Sequence, residues 1–293
     1  MLTGLDRVTI LVKDLERSVE QLERTLGLRF APGGEQVEVG TISSIARFGT
    51  NYLELLSVNR PETAKEHDRG RRLLDMLKQQ DVQILGFGIA SDDLERDVAE
   101  ARARGLSLEA PIHGSRRRPD GSILTWRAAT VPNDPFGRLI PYLVQPTPGM
   151  LQRKIWEGYN SHHLQIDTIS SIALVTTNLD AAIESYRSLL GEPPNTVEES
   201  FELSACKARY CIGSFRLELF QPMDPSSALG GILHRQGEGI FLIGLGVPNL
   251  ENAVRFLRAR GTSVSDPTPQ RSAQLLDPSQ TLGVGFQLEE VPR

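Results

Sequence analysis

Apolar residues in this chain recur with two alternating periods, first every second residue and then every third or fourth. The clearest example lies between 237 and 261. The apolar run from Ile240 to Val247 predicts a strand, Asn249 is suited to cap a helix, and Gly261 is suited to end it. The residues between Asn249 and Gly261 carry an amphipathic helical pattern. This segment therefore predicts a strand followed directly by a helix.

The same order of strand, capping residue, amphipathic helix and glycine occurs four times. The four pairs of capping residue and glycine are Asp14 with Gly27, Asp93 with Gly105, Asn178 with Gly191, and Asn249 with Gly261. The interval within a pair alternates between 13 and 12 residues. Further strands follow each helix. A repeat this long indicates a duplicated domain rather than a solenoid, with module one pairing with two and three with four.

A chain of 293 residues is long enough for two domains that each bury a core. Residues 149–165 are polar and follow Pro146 and Pro148, and we interpret them as a linker. The predicted domains are residues 1–148 and 166–293. In the first strand Val8, Ile10 and Val12 share one face, and Arg7, Thr9 and Leu11 share the other.

Composition restricts the partners. A net charge of −5 and a pI near 5.7 argue against binding to nucleic acid or an acidic membrane. Cys206 and Cys211 fall on opposite faces of one predicted strand, which favours a reduced, cytoplasmic setting. No apolar run approaches the roughly 18 residues of a membrane span. The expected partner is a small molecule, and a homodimer stays open.

Several short motifs, by their order and spacing, resemble the vicinal oxygen chelate superfamily, which includes glyoxalase I, bleomycin-resistance proteins and extradiol dioxygenases. In the first half the matching segments include 52–55 (Tyr-Leu-Glu-Leu) and 140–142 (Ile-Pro-Tyr), which are similar to glyoxalase-like domains of unassigned activity. In the second half, 215–222 and 233–240 resemble methylmalonyl-CoA epimerase and glyoxalase I. The resemblance implies an α+β fold of four βαβββ modules paired into two ligand-binding cups.

Members of this superfamily usually hold a divalent metal on four side chains of a cup. The equivalent positions here are Arg7, Glu54, Gly86 and Tyr142 in the first cup, and Ser171, Glu218, Leu242 and Gln287 in the second. Arginine is a permanent cation and repels a metal, while glycine and leucine offer no donor. We therefore expect no metal or other cofactor at either position. A metal-dependent lyase or dioxygenase is the third and least supported function.

Two other functions remain open. The first is metal-independent proton transfer, isomerase or lyase chemistry on a small oxygenated metabolite, with Glu54 or Glu218 as the base and Arg7 or Tyr142 as the oxyanion partner. The second is non-catalytic sequestration of a drug-like molecule, as in bleomycin-resistance proteins. Arg7 and Glu54 are expected to form an ion pair, against the alternative that such a pair only fills a former metal site.

Six further residues are candidates for ligand binding: Gln36, Trp126, Arg127, His163, Ser171 and Gln287. Ser171 and Gln287 are cup positions in the resemblance, and Trp126 and Arg127 could line a ligand cleft. Gln36 follows two glycines where glyoxalase-like relatives tend to have a histidine, and His163 stands near the linker end, where similar chains often have a His-Pro-Asn segment. For Trp126 the alternative is a place in the core. The run Arg116-Arg117-Arg118 is interpreted as a solvated loop in preference to a site for an anionic group.

Overall fold

The computed structural model describes residues 1–146, 161–266 and 273–291. The first half contains eight strands: β1 (Leu2–Val12), β2 (Ala31–Gln36), β3 (Thr41–Phe48), β4 (Asn51–Val58), β5 (Val82–Ser91), β6 (Ile112–Arg117), β7 (Ile123–Ala129) and β8 (Tyr142–Pro146). Its helices are α1 (Leu15–Leu26), α2 (Pro61–Glu66), α3 (Asp68–Gln79) and α4 (Leu94–Ala103).

The eight strands close into a barrel in the order β1-β4-β3-β2-β6-β7-β8-β5. β1 pairs with β4 in parallel and with β5 antiparallel, so modules one and two meet at their first strands. The opposite seam is narrow, with Glu35 of β2 paired to Arg117 of β6. The predicted pairing of modules one and two is confirmed.

The second half repeats this plan. Its strands are β9 (Thr168–Val175), β10 (Thr196–Ser200), β11 (Ala205–Ile212), β12 (Phe215–Pro222), β13 (Gly239–Val247), β14 (Gln274–Leu275) and β15 (Phe286–Glu290). Its helices are α5 (Leu179–Leu190), α6 (Ala228–Gln236) and α7 (Leu250–Ala259). In the part of the chain that the structure describes, these strands form one seven-stranded sheet in the order β10-β11-β12-β9-β13-β15-β14.

The helix boundaries follow the predicted capping residues. Asp14, Asp93, Asn178 and Asn249 each accept a hydrogen bond from the backbone N–H three residues later. α1 and α5 have 12 residues and end at a left-handed glycine, Gly27 or Gly191. α4 and α7 have 10 residues and end at an arginine that precedes the glycine. The alternation seen in the sequence is therefore a real difference between two kinds of module.

The two halves share one hydrophobic core, formed by the outer faces of both sheets and the helices between them. Arg104, which follows α4, donates to the carbonyls of Ser188 and Leu189 at the end of α5. The equivalent Arg260, after α7, donates to the carbonyls of Glu23 and Arg24 at the end of α1. Each half thus places a cation on the negative end of a helix in the other half.

α3 and α6 occupy equivalent crossovers and pack on the inner, concave faces. Leu73 of α3 is buried with Leu11, Leu56, Leu85 and Phe136 in the first cup. Leu229 of α6 is buried with Ala173, Val175, Ala205 and Phe220 in the second. Each cup is therefore lined at one end by a helix from its own half.

Residues 149–160 of the predicted linker lie outside the described residues. The part from 161 to 165 packs against the first half. The ring of His162 is buried, with Nδ1 accepting from the Arg29 backbone N–H at 3.0 Å and Nε2 2.7 Å from the Arg47 carbonyl oxygen. Burial lowers the pKa of His162, so the neutral ring bridges two backbone groups.

Candidate functional site

A β-bulge sets the geometry of the first cup. Between β1 and β5 the register runs from Leu5 opposite Ile89 to Arg7 opposite Gly88, which leaves Asp6 as an extra residue. Asp6 and Arg7 are both buried, although successive strand residues normally point to opposite faces. The bulge therefore places a carboxylate and a guanidinium side by side at the inner wall.

Arg7 lies among three aromatic rings. Its Nε donates to the Tyr142 hydroxyl at 2.6 Å, and its Nη1 donates to the Tyr52 hydroxyl. The guanidinium carbon is 5.4 to 5.7 Å from the ring centroids of Tyr52, Trp126 and Tyr142. A side chain at Gly88 would meet the Tyr142 ring at 2.5 Å, so the absence of one lets Tyr142 reach Arg7 across β5.

Glu54 does not pair directly with Arg7, and that expectation is wrong. The register explains why: Glu54 lies opposite Thr9, whereas Arg7 lies opposite Tyr52. Thr9 Oγ1 donates to Glu54 Oε2 at 3.2 Å, and the ion-pair partner is Arg116. Burial raises the pKa of Glu54, but Arg116 and Arg7 outweigh that effect and lower the pKa to about 2.

Arg116 lies on strand β6 and is buried, so its assignment to a solvated loop is wrong. Its guanidinium group crosses the barrel to Glu54 and lies 5.7 Å from the Trp126 ring centroid. The Arg116 Nε is buried and has no hydrogen-bond partner among the described residues. Sequence alone gives a basic run at 116–118 and no indication that one member faces inward.

Asp6 is a candidate site residue that the sequence did not indicate. Burial raises its pKa; Arg7 opposes this, and Glu54 adds to it. The Asp6 Oδ2 is buried and accepts no hydrogen bond from the described part of the chain, although Arg7 Nε lies 3.5 Å away. Its side chain is also hydrogen-bonded to Tyr52. A bulge residue has no periodic signal, which is why the pattern missed it.

Arg69, at the start of α3, adds a third guanidinium to this group. Its guanidinium carbon lies 5.3 Å from the Phe136 ring centroid, and its Nε is buried without a hydrogen-bond partner in the described chain. Burial lowers the pKa of Arg69, and Arg7 and Arg116 lower it further, while Tyr142 and Glu54 act in the opposite direction. Arginine stays charged even so. We call Asp6, Arg7, Glu54, Arg69 and Arg116 the first-cup cluster.

The second cup is built around Glu289. This carboxylate accepts hydrogen bonds from Ser170 Oγ (2.6 Å), Ser171 Oγ (2.8 Å), Arg216 Nη2 (2.6 Å) and Gln287 Nε2 (2.6 Å). Both of these consecutive serines reach Glu289 because the β9–β13 register shifts here and leaves Ser170 as an extra residue. The β1–β5 register leaves Asp6 as an extra residue in the same way. Four donors satisfy Glu289 fully.

Glu218 forms a second charged group in the same cup. Arg209 donates to it at 3.0 Å, and Lys207 Nζ lies 3.8 Å away. The side chain of Glu218 is 14% exposed and that of Arg216 is 38% exposed, compared with 5% for Glu54 and 9% for Arg7. The second cup is thus the more open of the two.

The residues present do not fit a divalent metal at either cup. Throughout residues 1–146, 161–266 and 273–291, no group of three or more His, Cys, Asp or Glu side chains converges. In the first cup Glu54 is the carboxylate at a position where the superfamily places a metal ligand, and the guanidinium groups of Arg116 and Arg7 lie beside it. In the second, Glu218 and Glu289 are already paired with arginine. A metal would have to displace these cations.

The other sequence candidates are divided between the cups and the outer surface. Trp126 lies in the first cup beside Tyr142, and Ser171 and Gln287 lie in the second. Gln36 is at the end of β2, where Thr41 Oγ1 donates to it at 3.4 Å. Arg127 pairs with Glu95 of α4, outside the barrel.

His163 is exposed beside Arg29, in a surface depression that Glu23 and Arg260 also line. The structure therefore separates His163 and Arg127 from the first-cup cluster. Within the described residues no helix is long and apolar enough to span a membrane.

Comparison with known proteins agrees with this architecture. A family model described as a glyoxalase-like domain matches residues 5–190, which is more than half of the chain. Mitochondrial methylmalonyl-CoA epimerase of Dictyostelium discoideum is 28% identical over 135 residues, covering 43% of this chain and 79% of that protein.

Two solved structures share the fold along nearly the whole chain. A hypothetical protein from Staphylococcus aureus superposes with a TM-score of 0.67 and 12% identity, covering 98% of this chain and 99% of its own. A variant of 4-hydroxymandelate synthase from Streptomyces coelicolor gives the same TM-score and identity, covering 99% and 93%. The chain belongs to the glyoxalase-like domain family of the vicinal oxygen chelate superfamily.

Proposed function

We propose that the first cup binds a small oxygenated metabolite and catalyses metal-independent proton transfer, as an isomerase or lyase does. The observation that carries this proposal is the buried Asp6 carboxyl, whose Oδ2 has no hydrogen-bond partner in the described chain, beside Arg7 and two tyrosine hydroxyls. The similarity to a protein named as an epimerase supports an isomerase-type reaction for the chain, and the epimerase-like segments 215–222 and 233–240 lie in its second half.

Asp6 is the proposed proton acceptor. Burial raises its pKa, which brings the carboxylate closer to the basicity that a general base needs at neutral pH. In the proposed step a carbon-bound proton of the substrate moves to Asp6 Oδ2, and the electron pair moves to the adjacent carbonyl oxygen. Return of the proton to carbon gives the isomer, whereas loss of a leaving group from the neighbouring carbon gives the lyase product.

Tyr142 and Arg7 are the proposed partners of the developing oxyanion. The Tyr142 oxygen accepts from Arg7, so its own O–H is left to donate to a ligand. Burial raises the Tyr142 pKa, with Arg7 opposing, and the phenol is therefore protonated at neutral pH. A neutral donor held by a cation in a buried site stabilises developing negative charge without reorganisation.

Glu54 is assigned a positioning role in place of the base role suggested by the sequence. A carboxylate with a pKa of about 2 is too weakly basic to abstract a proton from carbon at neutral pH. Its ion pair with Arg116 instead fixes that guanidinium inside the barrel. Glu218, which is paired with Arg209 in the more open cup, is assigned no catalytic role.

A second candidate function, non-catalytic binding of a drug-like molecule, is favoured by the second cup. This cup contains the half-exposed Arg216 and an apolar group that includes Phe220, Phe241 and Leu242. An open cup with one apolar wall suits a ligand that is enclosed and released unchanged.

The test is a metabolite-library thermal-shift screen, with mass-spectrometric detection of turnover for every stabilising compound and elemental analysis of the same protein. We expect turnover that withstands a chelator and is lost in Asp6→Asn. Glu218→Gln is the matched control and should retain activity. Ligands that stabilise the protein but emerge unchanged would favour the binding function, and chelator-sensitive activity with stoichiometric metal would refute the proposal.

A further inference from the structure

We infer that the ligand of the first cup carries an oxyanion, a carboxylate or a phosphate, that binds between the guanidinium groups of Arg69 and Arg116. This inference rests on the proposed function, because it describes the ligand of the same cup. It concerns binding, however, and can be tested without a known reaction.

The charge balance of the first-cup cluster favours an anion. Arg7, Arg69 and Arg116 each lower the pKa of Glu54, and Arg7 and Arg116 also lower that of Arg69; the carboxylates of the cluster are Glu54 and Asp6. Glu54 is committed to Arg116 through a direct ion pair. Buried like charges repel strongly at low dielectric, so an additional negative group in this space would be stabilised.

The unused hydrogen-bond donors identify where that group would lie. Arg7 directs its Nε and Nη1 to Tyr142 and Tyr52. Arg116 directs Nη2 to Glu54, but its Nε has no acceptor in the described chain. The Arg69 Nε is likewise buried without an acceptor. A buried N–H without a partner is costly, and the two oxygens of a carboxylate or phosphate would satisfy both.

The position of Arg69 is fixed by the local fold of α2 and α3. The His67 side chain caps α3 by accepting from the Arg69 backbone N–H at 3.1 Å. Gly70 packs so closely on the backbone of Ala64 that any side chain at 70 would collide with it. Leu73, one turn further along α3, is fully buried in the cup. These contacts hold the start of α3 where Arg69 can point inward.

The experiment compares Arg69→Met with Arg72→Met. Arg72 is an exposed arginine on the same helix, so both variants lose one positive charge and only one loses it from the cup. Phosphate and malonate are the probes, with chloride at equal ionic strength as the control, and binding is measured by thermal shift and isothermal titration calorimetry. Phosphate binding without malonate binding would identify a phosphate ligand, and the reverse a carboxylate.

We expect at least one probe to raise the melting temperature of the wild type and of Arg72→Met. Arg69→Met should bind that probe with an affinity lower by about tenfold or more, since a charge-assisted hydrogen bond is lost. In probe-free, low-salt buffer Arg69→Met should melt higher than the wild type, because one repelling charge is gone. An equal response in Arg69→Met, or no oxyanion-specific response in the wild type, would overturn the inference.

The two proposals fail in different ways. Turnover of a neutral metabolite without oxyanion binding would remove this inference and leave the proposed function. Arg69-dependent oxyanion binding in a protein that converts no metabolite would leave the inference and remove the proposed function.

Discussion

The two cups occupy equivalent places in the fold and differ in the side chains around the shared bulge. Arg7 lies opposite Tyr52 and Gly88, and the equivalent Ser171 lies opposite Arg216 and Gly244. In the first cup Arg7 belongs to β1 and is surrounded by aromatic rings. In the second cup Arg216 belongs to β12, the strand beside β9, and reaches across the small residues Ser171 and Gly244 to Glu289.

The shared bulge shows what this difference means chemically. At the bulge the first cup has Asp6, whose Oδ2 accepts no hydrogen bond in the described chain, and the second has Ser170, which donates to Glu289. One backbone irregularity thus places a carboxyl with one unpaired oxygen in the first cup, and completes the hydrogen bonds of a carboxylate in the second. Under the proposed function, the first cup holds the reactive groups and the second is a stable framework.

The strongest test of this contrast is a pair of matched substitutions, Glu54→Gln and Glu218→Gln. Removing one partner of a buried ion pair leaves the other charge uncompensated and costs about 3–5 kcal/mol. The partly exposed pair of Glu218 should contribute at most about 1 kcal/mol. Urea unfolding of both variants at neutral pH measures the difference. Equal losses of stability would mean that the two cups are equally buried in solution.

A second test adds one methyl group to each cup, in Gly88→Ala and Gly244→Ala. The first would drive a Cβ into the Tyr142 ring, and the second into the Ser171 hydroxyl and the Glu289 carboxylate. A rigid ring yields less easily than side-chain tips, so Gly88→Ala should cost about 1–3 kcal/mol and Gly244→Ala less. Thermal melts compare the two, and a larger loss at Gly244 would contradict the rigid geometry of the first cup.

The pH dependence of stability distinguishes Asp6 from Glu54. A raised pKa in the folded state means that Asp6 costs stability as the pH rises through that pKa, and costs nothing below its unfolded value of 3.8. Asp6→Asn should therefore be more stable than the wild type at neutral pH, with the difference vanishing below about pH 4.

Glu54 behaves in the opposite way. Its lowered pKa contributes stability above the unfolded value of 4.5, and that stability is lost as the pH falls to about 2.

Urea midpoints of Asp6→Asn and wild type from pH 3 to 8 test the sign for Asp6. An advantage for Asp6→Asn that is the same at every pH would show that Asp6 does not titrate as inferred.

The smallest effect is expected for Arg216→Met. This arginine is 38% exposed, and Glu289 keeps its three other donors when Arg216 is removed. A loss of about 1 kcal/mol or less should be measurable by chemical denaturation. A larger loss would indicate that the second cup is closed in solution, with the Arg216–Glu289 pair buried.

Most of the fold could be predicted from the sequence because it depends on local chemistry. Asp14 and Asn178 cap their helices by hydrogen bonds within three residues, and Gly27 and Gly191 end them with a left-handed backbone. These signals need no knowledge of the tertiary structure. The cup-facing parity of Arg7 also follows from simple strand alternation.

The first-cup cluster could be predicted only in part, because it depends on register and distance along the chain. Arg7 and Glu54 share a face, but their strands are offset so that Arg7 meets Tyr52, 45 residues away. Arg116 reaches Glu54 across the barrel from a run of arginines typical of a surface loop. Asp6 faces inward only because β1 is bulged. Periodicity does not encode any of these three features.

The exchange of capping arginines between the halves has a consequence for how this chain can evolve. Arg104 completes α5 and Arg260 completes α1, so each half carries a part that belongs to the other. Recombination that joined one half to a foreign glyoxalase-like domain would remove the arginine that the other half supplies to its helix end, and would expose the shared core. We therefore expect the two halves to be inherited together as one unit.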